Sequence, residues 1–171
     1  MPAPDGARQL TGKVPTEHIR VLEDSSVKTY MSVWTITDPT SNQYRYIHES
    51  GEVKIDERGY LTTDDGYRGA ALGSALGDIG ERFIFTLSSG VQLKIVKVEE
   101  KADHDTDNNN FAAVDNGDVI EFVIDETAAY MQENVGANGL VFSGNFNNCP
   151  DFQGEIIKIE KIKEGLYHDE N

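Results

Sequence analysis

The residues with chemical potential are concentrated in one acidic run, Asp103-His104-Asp105-Thr106-Asp107-Asn108-Asn109-Asn110. Carboxylates at alternate positions of a turn can wrap oxygen ligands around one hard cation. Asp103, Asp105 and Asp107 match the first three ligands of a D-x-D-x-D calcium loop. The match then ends, because the sixth position is Asn108 rather than Gly and the twelfth is Val114 rather than Glu. The expectation is therefore not an EF-hand but a looser Ca2+ site, helped by Asp115 or Asp118. The same acids could instead move protons. Carboxylates packed together resist joint ionisation, so one holds its proton into a higher pH range. Such an acid can protonate a glycosidic oxygen. The plainer alternative is a solvated loop of Asx turns.

A fourth acid, Glu121, is embedded in the apolar run 119–124, VIEFVI. Alternation puts it on one face with Val119 and Val123. If that face is inward, Glu121 is a buried acid in need of a partner.

Other chemistry is missing from the sequence. It has no phosphate-cradling G-x-x-x-x-G-K-[ST], no G-x-S-x-G elbow and no H-E-x-x-H. The four histidines, His18, His48, His104 and His168, are scattered. Cys149 is the single cysteine, which excludes an internal disulfide and a cysteine zinc cluster.

Thirty Asp and Glu oppose fifteen Lys and Arg, giving a net charge of -15 over 171 residues. Such a surface repels phosphate backbones, so no nucleic-acid partner is expected. No run approaches the ~20 apolar residues of a membrane-spanning helix. The start, MPAPDGARQLTGKVP, lacks the apolar core of a signal peptide. The expected localisation is cytoplasmic as synthesised, with incorporation in a larger particle or release by lysis as the alternatives.

The elements that must hold these acids read mostly as strands. Residues 29–37, 43–48, 67–72, 82–87, 91–98, 119–124 and 156–162 carry the β-branched, aromatic or alternating pattern of strands. Asp38-Pro39-Thr40-Ser41 and Asp64-Asp65-Gly66 read as turns, and Ser88-Ser89-Gly90 as a hairpin loop. Within 91–98 the apolar alternation slips from Val91, Leu93 and Ile95 to Val96 and Val98. That predicts a bulge, or a strand passing between two environments. Residues 49–66 and 99–117 read as polar loop, with a short ordered piece expected at 17–22. Residues 125–134 read as one helix, and the glycines of 69–80 as turn glycines. The predicted organisation is an arm over 1–27, one domain over 28–162 and a polar tail over 163–171. Five to seven strands with little helix predict an all-β barrel or sandwich.

The block from Gly66 to Asp125 resembles a family of double-psi β-barrel domains of Gram-positive bacteria and their phages. Ala71-Leu72-Gly73, Ile79-Gly80, Thr86-Leu87-Ser88-Ser89-Gly90, Lys101-Ala102-Asp103, Thr106-Asp107 and Glu121-Phe122-Val123-Ile124-Asp125 carry the likeness. Lys28-Thr29-Tyr30-Met31 is similar to the family's start. The resemblance spans residues 28–162 and implies an all-β fold with minor α, a small six-stranded double-psi β-barrel with an N-terminal extension. It places Gly73, Gly80 and Gly90 where backbone turns or approaches closely. By likeness to barrels of cell-wall enzymes, it implies a groove holding Asp103 and Asp107. The family pattern K-A-D-x-H-T-D has its histidine where this chain has Asp105, and His104 stands one place earlier. A histidine-dependent reaction is therefore not expected.

Two functions follow as expectations. One is a peptidoglycan-directed, lytic-transglycosylase-like protein acting on cell-wall glycan. In it Asp107 is general acid and then base, Asp103 tunes it, and Glu121 is a supporting acid. The other is a non-catalytic module of a phage tail or similar assembly, with neighbouring subunits as partners and Ca2+ as a candidate ligand.

Overall fold

The computed structural model describes the backbone of Lys13–Pro15 and residues 26–114, 117–135 and 145–162. The expected ordered piece at 17–22, Asp115 and the tail 163–171 lie outside the described residues. Nine strands are present among those described: β1 (Lys13–Pro15), β2 (Lys28–Ser32), β3 (Val53–Ile55), β4 (Leu61–Thr63), β5 (Arg68–Leu72), β6 (Arg82–Leu87), β7 (Gln92–Glu100), β8 (Ile120–Ile124) and β9 (Ile156–Ile162). Two short helices, α1 (Asn42–His48) and α2 (Ala129–Asn134), and a few single-turn 3-10 segments complete them. The fold is mostly β, as the sequence predicts.

The strands form one mixed sheet in the order β1-β9-β6-β7-β5-β4-β3, with β8 also on β5 and β2 on β8. β5 is the hub. It runs parallel to β7 along one edge and antiparallel to β4 and β8 along the other. β2 and β8 form a second parallel pair. Among the described strands no pairing joins the ends of this path, so the ladder is open. β1 extends it by pairing with β9 of the same chain, so three residues of the predicted arm belong to the sheet.

Both faces of the sheet are covered. Phe83, Phe85, Phe122, Phe146 and Phe152 lie in one core cluster, and Leu61, Tyr67, Ile84, Val96, Val98 and Val123 in the other. β7 serves both, with Leu93 and Ile95 in the first and Val96 and Val98 in the second. The slip in its apolar pattern therefore marks a strand buried on two sides.

Several local predictions are corrected. Residues 43–48 form helix α1, not a strand. The Ser41 hydroxyl accepts the Tyr44 N–H at 3.1 Å, and Ile47 is buried three residues further on. A cap and a helical spacing outweigh the β propensity of the tyrosines. The stretch 49–66 is not all loop, since β3 and β4 form a hairpin there. The strand predicted over 29–37 stops at Ser32, whose hydroxyl caps the following 3-10 turn. The helix predicted over 125–134 begins only at Ala129. Gly80 and Gly90 have φ of +95° and +94°, whereas Gly73 serves close approach, since a Cβ there would collide with the Asn110 carbonyl oxygen.

In a chain so rich in acid, three lysines among the described residues are buried and clamp loops. Lys28 Nζ donates to the Ser26 and Gly154 carbonyls and to Asn147 Oδ1, at 2.7, 2.8 and 3.2 Å. Lys97 Nζ donates to the Gly73 and Gly77 carbonyls and to Glu100. Lys101 Nζ donates to the carbonyl and carboxylate of Asp118, at 3.0 and 2.7 Å. A desolvated ammonium needs such acceptors, and each lysine ties strand to loop by meeting that need.

Candidate functional site

The acidic run is an ordered loop whose three aspartates serve different partners. Asp103 and Asp105 lie in a single 3-10 turn, and the loop is closed by a bridge between Thr106 and Ala113. Asp107 Oδ1 accepts the N–H groups of Asn109 and Phe111, at 3.2 and 3.0 Å. Phe111 and Ala112 are buried in the first core and anchor the loop tip. Asp103 Oδ1 accepts the Ser74 hydroxyl at 2.5 Å. Asp105 is exposed, 3.5 Å from His104. Among the described residues no group of three or more His, Cys, Asp and Glu side chains is placed to hold a metal ion. Asp103, Asp105 and Asp107 thus do not share one cation position. Neither they nor Glu121 belong to the groove of about 650 Å³ beside α1, which is lined by Arg45, Tyr46, Glu49, Asp78 and Glu100 among others.

A different constellation forms around Glu121. Ala71 of β5 is in register with Glu121 of β8 on one side and with Glu99 of β7 on the other. Glu121 is in register with Thr29 of β2. Residues in register across adjacent strands share a face, so Glu99, Ala71, Glu121 and Thr29 form one row across four strands. A bulge makes the row possible. Between Ala70 and Ala71 the register with β7 jumps from Lys97 to Glu99. The extra residue, Val98, re-aims Glu99 toward Ala71. Ala71, buried in the second core cluster, separates the two carboxylate positions.

Under the row lies the Lys101–Asp118 pair. Both residues are buried, and Thr29 Oγ1 donates to the second carboxylate oxygen of Asp118. Burial raises the Glu121 carboxyl above the ordinary glutamate range. The Lys101 charge opposes that rise and the Asp118 charge adds to it. The Glu99 carboxyl is also raised, first by burial. The Glu100 N–H works against that rise, and the Glu121 and Glu100 charges add to it. Glu99 Oε1 is buried without a hydrogen-bond partner among the described residues. A buried, unbonded carboxyl oxygen favours the neutral acid.

The arrangement therefore offers two half-buried acids, coupled to each other, beside a fixed cation. One can hold a proton while the other is ionised, which is the requirement for a proton donor beside a carboxylate. Sequence reasoning placed Glu121 among the candidates. It missed Glu99, assigned to loop, and did not single out the Lys101–Asp118 pair. The visible signal was the slip at Ile95–Val96, which marks where β7 changes its surroundings. Compared with models of protein families, with curated proteins and with solved structures, the chain has no match.

Proposed function

We propose that this chain is a peptidoglycan-directed protein of the double-psi β-barrel kind that cleaves glycan, with Glu121 as its acid. The supporting observation is the row itself: Glu121 is half-buried, its carboxyl is raised, and a second raised carboxyl, Glu99, stands across Ala71. The parallel pairs β5·β7 and β2·β8 support the barrel reading, because crossing connections of that kind generate them.

In the proposed reaction protonated Glu121 gives its proton to the glycosidic oxygen as the C1–O bond breaks. The C6 hydroxyl oxygen of the same sugar closes on C1, and its proton returns to the Glu121 carboxylate. The product is an anhydro-sugar end, and the acid is regenerated. Burial, helped by the Asp118 charge and opposed by that of Lys101, holds the proton on Glu121. Lys101 and Asp118 hold the strands on which both stand. Asp107, assigned the acid role by the resemblance, is here a loop cap.

The test is release of soluble muropeptides from purified Gram-positive peptidoglycan, read by mass spectrometry with calcium and with EDTA. Anhydro ends are expected from the wild type and from Asp107→Asn, and none from Glu121→Gln. Loss in Asp107→Asn with the fold intact would move the acid to the loop. No product under any condition, with folding shown by circular dichroism, would leave the non-catalytic assembly module as the function.

A further inference from the structure

The groove beside α1, about 650 Å³ in volume, takes no part in the cleavage proposed above. α1 forms one wall, and Asp78, Ile79 and Glu100 form the other. Both walls are fixed from behind. On the α1 side Ile47 is buried, and the Tyr46 hydroxyl donates to Glu52 Oε1 at 3.3 Å and accepts from Arg82 Nη1 at 3.4 Å. The Tyr46 ring lies against Gly80, where a Cβ would stand 3.1 Å from Tyr46 Cε1. The opposite wall hangs on the buried Lys97. Its Nζ donates to the Gly77 carbonyl and to Glu100 Oε1, at 2.7 and 2.8 Å, and its carbonyl accepts the Gly80 N–H at 2.7 Å. Glu81 Oε1 accepts the Asp78 N–H at 2.7 Å. A groove held in this way leaves little ordering for a ligand to cost.

The charges within it are not used by the fold. Glu100 is neutralised by Lys97. The side chains of Arg45, Glu49 and Asp78 are exposed and, among the described residues, form no ion pair. Arg45 and Glu49 are four residues apart on α1 and share its face, one offering donors and the other acceptors. Asp78 lines the groove from the other wall. Asn42 and Gln43 add side-chain amides, and Tyr46 and Ile79 add apolar surface.

This set selects among ligand classes. Two free carboxylates against one guanidinium favour a cation and repel a polyanion. A bare metal ion does not fit, because no three acids among the described residues are placed to hold one. A polyamine would answer the carboxylates but gives Arg45 no acceptor. A peptide with one ammonium side chain answers every group. Its ammonium meets Glu49 and Asp78, and its terminal carboxylate meets Arg45. Its peptide groups pair with Asn42 and Gln43, and its alkyl stem lies on Tyr46 and Ile79. We propose that the groove is a binding site for a short peptide carrying a lysine-like ammonium side chain and a free carboxylate. It stands apart from the acid row and does not depend on the cleavage reaction.

The full chain is titrated with N-acetyl-Ala-Lys-Ala and followed by amide NMR and calorimetry. Saturable shifts are expected at Tyr46, Ile79 and Glu100, with an affinity that falls as salt is added. The same peptide with norleucine for lysine keeps the stem without the charge, and is expected to bind several-fold more weakly. Its C-terminal amide form is expected to weaken less. Glu49→Gln and Asp78→Asn are close in shape and exposed, so folding is expected to survive, as circular dichroism will show. Each is expected to lose affinity several-fold, and the pair to lose binding. Arg45→Gln is expected to remove the preference for the free carboxylate over the amide. Glu121→Gln is expected to bind the peptide as the wild type does. Equal affinity for the norleucine peptide overturns the proposal, as does equal affinity of the double variant and the wild type. So do shifts confined to other parts of the chain, no shifts at the highest soluble peptide concentration, or tighter binding of spermidine at the same residues.

Discussion

Glu99 and Glu121 stand in one row, in register with Ala71 from opposite edges of β5. Their carboxyls are both raised, chiefly by burial, and the Glu121 charge adds to the rise at Glu99. The folded state thus holds protons at a pH where the unfolded chain has released them. Stability from these two groups is present below the ordinary glutamate pKa and is lost as pH rises through the raised values. Urea denaturation from pH 4 to pH 8 is expected to show that loss, and Glu99→Gln is expected to flatten it. An unchanged slope in Glu99→Gln would show that this carboxyl is not the one holding the proton.

The loop aspartate makes an opposing prediction. Asp107 Oδ1 caps two backbone N–H groups. An asparagine oxygen can do the same, so Asp107→Asn should leave stability and muropeptide release intact. Asp107→Ala should cost about 1 kcal/mol, the usual value of a lost cap. Chemical denaturation of the two variants separates the cases.

Lys101 and Asp118 are buried together. Removing the lysine alone strands a carboxylate in a poorly solvated place. Lys101→Met is expected to cost roughly 3–5 kcal/mol, and Lys101→Met with Asp118→Leu to recover much of it. A double-mutant cycle by urea unfolding measures the coupling.

Lys28 gives the opposite pH dependence. Burial lowers its pKa from 10.5 to about 8. Above pH 8 the folded state releases a proton that the unfolded chain retains, so stability from this group rises with pH from about 8 toward 10. The slope is at most about 1.4 kcal/mol per pH unit for one group. Lys28→Met should abolish the rise. Above pH 10 Tyr46, pushed up to about 12, works the other way.

Two glycines separate crowding from backbone strain. A methyl at Gly73 meets the Asn110 carbonyl, whereas one at Gly90 meets nothing within 4 Å but must adopt φ +94°. Gly90→Ala is expected to cost about 1 kcal/mol. Gly73→Ala is expected to cost up to about 3 kcal/mol and to loosen the acidic loop. Hydrogen exchange at Asp107 and Phe111 would show that loosening.

Much of this fold was legible along the chain. The strands at 82–87, 91–98, 119–124 and 156–162 announce themselves through β-branched and alternating residues, because each pattern is read by near neighbours in the same strand. Ser88-Ser89-Gly90 marks its hairpin because only Gly takes φ +94° without strain. Helix α1 was not legible, since Gln43–His48 reads as strand until Ser41 is recognised as a cap. Nor was the β3–β4 hairpin, whose two strands, Val-Lys-Ile and Leu-Thr-Thr, are too short to show a period.

The sequence by itself determined that the chain is β-rich, strongly acidic and supplied with carboxylates near residues 103–107 and at 121. Each of those properties belongs to single residues or to their immediate neighbours. Only the tertiary structure decided which acids meet. Asp103, Asp105 and Asp107, close in sequence, turn to separate partners. Glu99 and Glu121, far apart in sequence, are brought to one alanine by a bulge whose register is set on β5. Burial raises an acid only when distant strands exclude its water, and no local pattern records which strands those are.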